Sequence, residues 1–137
     1  IAEFRKELAR DPAHYPALLQ MAALVLKKGD AAQAVTLADQ AAHLAPTVPA
    51  VYLVLGRALL ETDDGARAVQ ELEHGVALAP ESADLQFAMA RAYKRVGRAE
   101  DAEHARQQFL ALEHAAREHP KDSGPDGAEP SGPPGAP

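Results

Sequence analysis

Two arginines, Arg57 and Arg91, stand 34 positions apart, and the same interval governs much of the chain around them. A guanidinium is a planar fork of donors that can grip a carboxylate through two parallel hydrogen bonds. Two such forks at one phase of a repeating unit would receive acidic side chains of a polypeptide ligand. The other chemistry-bearing residues form no constellation. His14, His43, His74, His104, His114 and His119 are scattered, His43 and His74 fall at different phases, and the step from His114 to His119 does not share one helical face. No phosphate-binding glycine loop, dinucleotide fingerprint, H-E-x-x-H pair or calcium loop is present, since Asp63-Asp64-Gly65 is turn chemistry. Ser82 reads as a helix cap rather than a nucleophile. The expectation is a binding chain that is not an enzyme and uses no cofactor or metal.

The elements that must carry these side chains follow from the interval. Pro12, Pro46 and Pro80 share it, as do Ala34, Ala68 and Ala102, Leu44, Leu78 and Leu112, and the set Met21, Leu55 and Met89. Ala22, Gly56 and Ala90 stay small, while Val25, Leu59 and Tyr93 stay apolar. A period of this length is the mark of an array. Within the middle unit, Val51, Tyr52, Leu55, Leu59 and Leu60 recur at helical spacing, Thr62 to Gly65 interrupt, and Ala68, Val69, Leu72 and Val76 form a second stripe. Two helices per unit make an all-α solenoid. The spacing predicts helices over about 1–10, 15–28, 31–45, 49–61, 66–78, 83–96 and 99–118. Asp30 and Ser82 are expected as N-caps. Gly29 and Gly97 are expected in left-handed turns; Asp63 holds the intervening equivalent, where a shift of the turn by a residue or two is expected.

These residues resemble the tetratricopeptide repeat family, as a fragment of a bacterial-type array. Its pattern, W-x2-L-G-x2-Y then A-x3-F then P, is met by Tyr52, Leu55, Gly56 and Leu59, then Ala68 and Leu72, then Pro80. The first unit is looser, and the third places Arg106 where an aromatic is expected and has no closing proline. The resemblance implies a right-handed superhelix of antiparallel pairs over residues 1–119. Residues 1–12 would be the second helix of a partial repeat, 15–48, 49–82 and 83–118 three repeats, the last with an extended capping helix, and 120–137 a separate tail. In this family the first helix of each pair lines a concave face. That places Leu19, Ala23 and Leu26, Leu53, Arg57 and Leu60, and Phe87, Arg91 and Lys94 on the peptide-binding side. The expected partner is a protein segment, extended or helical, with apolar anchors and acidic residues. The family's carboxylate clamp for chaperone tails is not expected, because its positions hold Leu19, Ala23, Val54, Asp84 and Ala88. The alternative is a structural spacer or self-association element of a larger protein.

Composition narrows the partners. A formal net charge of −6 argues against general nucleic-acid binding, which requires a basic face. No apolar run approaches the roughly 20 residues of a membrane span, so no membrane insertion is expected. The chain has no cysteine, which fits a reducing cytosol and a periplasm alike, the cytosol being slightly favoured. It opens on Ile1 in mid-pattern and so reads as a fragment. Ile1, Phe4 and Leu8 would then form a sticky edge and a route to homo-oligomers. From Pro120 onward proline and glycine dominate, and a disordered tail is expected there.

Overall fold

The computed structural model describes residues 14–118. They form six helices: α1 (Tyr15–Lys27), α2 (Ala31–Leu44), α3 (Pro49–Glu61), α4 (Gly65–Leu78), α5 (Ala83–Arg95) and α6 (Ala99–Glu118). The half-repeat over 1–12, its edge of Ile1, Phe4 and Leu8, and the proline-glycine tail lie outside the described residues. Each expected helix within that range is present, with ends displaced by no more than a residue.

Local chemistry explains where the helices begin. Prolines occupy the first turn of α1 and α3, where a missing N–H costs no intrahelical bond. Asp30, Asp64 and Ser82 precede α2, α4 and α5, and their side chains accept from the backbone N–H of Gln33, Arg67 and Leu85.

The first helix of every pair ends in the same way. The N–H of Asp30, Asp64 and Arg98 donates to the carbonyl five residues back, on Val25, Leu59 and Tyr93, each at 2.9 Å. Inside each loop the N–H of Gly29, Asp63 and Gly97 donates to Leu26, Leu60 and Lys94. This paired closure requires a left-handed residue at its apex. Gly29 and Gly97 supply it at φ +97° and +83°; Asp63 takes φ +67°. The expected shift of that turn does not occur. Arg95 reaches across from α5 to bond Asp63 Oδ1 at 2.9 Å and the Leu60 carbonyl at 3.2 Å, holding the aspartate turn in register. Left-handed backbone costs an L-residue about 1–2 kcal/mol, and an exposed ion pair offsets about 0–1. Asp63→Gly is therefore expected to leave the thermal midpoint nearly unchanged. Asp63→Val, which loses the pair and puts a β-branched side chain on left-handed backbone that aspartate tolerates far better, is expected to cost about 2 kcal/mol by urea unfolding.

Packing follows the chain: every helix lies against its neighbours in sequence. Met21, Leu55, Leu59, Leu60, Leu72 and Leu85 are among the large, fully buried side chains that run through the pile. Beyond neighbours, α1 touches α3 and α3 touches α5, whereas among the described residues the backbones of α2 and α4, and of α4 and α6, stay apart. First helices are thus on the inside of a curve and second helices on the outside. Arg67 of α4 bridges the outer gap by pairing with Asp39 of α2, and it is steadied by Glu71 one turn along its own helix. The outermost helix, α6, buries only Ala105 fully. Its outer side is polar, with Arg106 and Gln107 donating to Glu103 and holding that carboxyl below the usual carboxylate range. Arg106 can occupy the position of a core aromatic because no further hairpin covers it among the described residues.

Candidate binding face

The inner side of the curve is built by α1, α3 and α5, the helices expected to line it. On these helices Ala23, Arg57, Phe87, Arg91 and Lys94 are exposed, and Leu19, Leu26 and Leu53 are half-buried. Leu60 differs. It is only 2% exposed and belongs to the core, so its expected role as a ligand-facing residue is replaced by packing. The cause is its place in the stack: α3 is flanked by both α1 and α5, and Leu60 lies beneath the C-terminal end of α5. There it floors a cleft of about 400 Å³ whose other lining residues are Arg91, Lys94 and Arg95.

Several cations among the described residues are already engaged. Arg67, Arg95, Arg98 and Arg106 each hold a carboxylate. Arg57, Arg91 and Lys94 hold none among the described residues; in particular the pair between Arg57 and Glu61, one turn apart, does not form. An unpaired guanidinium on the rim of a cleft keeps its fork available to a ligand carboxylate. Arg95, by contrast, is committed to Asp63 and Leu60 and serves the fold. Nothing local in the sequence marks the reach of Arg95 to α3, because the contact joins residues 32 positions apart.

The apolar component centres on Phe87, 48% exposed. Its ring meets that of Phe109 on α6, centroids 5.2 Å apart and tilted by 52°, a favoured geometry for aromatic pairs. The contact leaves about half of the Phe87 surface open. Among the described residues no group of His, Cys, Asp and Glu could hold a metal ion, and no helix is long and apolar enough to cross a membrane.

Residues 25–77 match a family model described as tetratricopeptide repeat. They are tetratricopeptide repeats. The family is a protein-interaction and scaffold module, typically non-catalytic. The six-helix array also superimposes on solved structures of MamA. A crystal structure of MamA gives a TM-score of 0.76 at 23% identity, covering 80% of this chain and 64% of that one. A MamA MSR-1 structure gives 0.72 at 19%, covering 82% and 65%, and a MamA RS-1 double mutant gives 0.76 at 21%, covering 82% and 63%. At these identities the likeness is one of fold, and the array spans less than two thirds of each of these three MamA chains. No curated protein sequence matches it.

Proposed function

We propose that the array is a non-catalytic scaffold that holds a segment of a partner protein along its inner face, and that the segment carries both apolar and acidic side chains. The observation that carries this reading is the set of unpaired cations, Arg57, Arg91 and Lys94, lying among Leu53 and Phe87 in a chain whose net charge is −6. A cation left without a partner gains little for the fold, whereas a bidentate bond to a carboxylate gives a ligand affinity and register. Leu19, Ala23, Leu26 and Leu53 extend the face toward α1 and offer contacts for apolar anchors. The carboxylate-terminus clamp of chaperone receptors has no equivalent here, so internal acidic residues of the ligand are the better match.

The test is selection from a displayed random-peptide library against the full chain. Enrichment of sequences that combine acidic and large apolar residues supports the reading. Enrichment without an acidic bias, or none at all, counts against it. Phe87→Ala is expected to weaken the selected peptides by roughly tenfold or more, as for a central aromatic anchor, in a fluorescence titration.

A further inference from the structure

The outer face carries a second feature, visible when the two junctions between hairpins are superimposed by the 34-residue interval. At the first, the Tyr52 ring lies flat on His74, centroids 4.5 Å apart at 14°, and the Tyr52 hydroxyl donates to the Pro46 carbonyl at 2.7 Å. At the second, Gln86 stands for Tyr52 and Gln108 for His74. Gln86 Nε2 donates to the Pro80 carbonyl at 3.3 Å, so the polar contact is retained while the ring is gone. Where the ring would lie there is a cavity of about 290 Å³ that opens outward between α4 and α6. Val76, Met89 and Ala105 form its apolar walls; Gln86, His104 and Gln108 supply polar groups.

Gln86 is the one buried polar residue among the described residues, 7% exposed. A carbonyl can only accept, so the amide nitrogen must face Pro80 and the amide oxygen must face the other way. That oxygen accepts no hydrogen bond from any described group. An acceptor that meets no protein donor and lines a partly apolar cavity is free to take a donor from a ligand.

We propose that this cavity binds the indole side chain of a tryptophan on a protein partner. The ring would take the place that Tyr52 fills one period earlier, between the walls from Val76 and Ala105, with its N–H donating to Gln86 Oε1. Indole fits because it is flat, largely apolar and a donor without an acceptor, so nothing on it is left unpaired against the apolar walls. The site lies on the opposite side of the array from Arg57 and Arg91 and stands independently of the ligand proposed for them.

The experiment is a titration of the isotope-labelled full chain with N-acetyl-tryptophanamide, followed by amide NMR. Saturable shifts are expected at Gln86, Met89 and Ala105 and on the facing turn of α4. The 1-methylindole analogue, which lacks the N–H, is expected to bind about tenfold more weakly, the cost of stranding one buried acceptor. Gln86→Tyr copies the first junction and is expected to abolish the shifts while leaving the fold intact, which its thermal melt checks. Equal binding of the methylated analogue, undiminished shifts in Gln86→Tyr, shifts confined to Phe87 and Phe109, or no saturable shifts at all would each overturn the proposal.

Discussion

Leu72→Ala is expected to be among the most damaging single substitutions in the array, lowering stability by about 2–5 kcal/mol, and the addition of Gly56→Ala to it is expected to restore part of the loss. Leu72 is fully buried, and its side chain packs directly on the bare backbone of Gly56 in α3. A Cβ built on Gly56 would overlap Leu72 Cγ and Cδ2 and lie 2.9 Å from Cδ1. Because Cγ is the branch point and not a flexible end, the leucine cannot simply swing aside. Gly56→Ala alone should therefore cost about 1–3 kcal/mol from overpacking, against a gain of about 1 kcal/mol in helix propensity. Once Leu72 is shortened, the clash vanishes and only the gain remains. The sign of Gly56→Ala should invert between the two backgrounds. The first hairpin already uses that combination, with Ala22 and Ala38 at the equivalent positions, both fully buried. Urea unfolding of the four proteins gives the coupling directly. Additivity within about 0.5 kcal/mol would show that the two residues do not share the contact.

That pair also shows what a sequence can disclose. Proline at a fixed interval, small residues in register and capping side chains before α2, α4 and α5 act locally, and the helices are legible from them. Asp63 was harder, because the energy that keeps it left-handed comes from Arg95 on another helix. Leu60 was misplaced for a related reason. Leu26, Leu60 and Lys94 share one phase, yet they are half-buried, buried and exposed in turn. Phase says which way a side chain leaves its helix, while exposure depends on whether the next hairpin covers it, and only the middle helix is covered from both sides. The equivalence of Tyr52 and Gln86 was hidden for the opposite reason. Two unlike side chains reach the same carbonyl, so similarity of residue type is no guide to similarity of bond. His74 likewise looked like a stray surface histidine until the Tyr52 ring was seen lying on it.

On the inner face, Arg57→Glu combined with Arg91→Glu is expected to lower affinity for acidic, apolar peptides by about 100-fold or more. Each charge-assisted bond contributes about 1.5–3 kcal/mol, and every 1.4 kcal/mol is tenfold in binding. Reversal adds repulsion to the loss, which takes the effect beyond simple removal. The fold should not suffer. Both arginines are exposed and neither holds a carboxylate among the described residues, so the change in stability should stay within about 0.5 kcal/mol. Arg117→Glu is the matched control, since Arg117 is also exposed and holds no ion pair among the described residues but lies near the end of α6, away from the cleft. If net charge alone governed capture, Arg117→Glu would weaken binding as much as either inner arginine does, and the proposed face would fail. The displayed library supplies the stricter outcome. The native face should enrich acidic sequences, and the double reversal should enrich basic ones, because a carboxylate at each of two successive ribs now selects for the opposite charge. Loss of all enrichment together with an unchanged thermal melt would keep the arginines in the site but assign them to shape rather than charge. An unaltered acidic preference would remove them from it altogether.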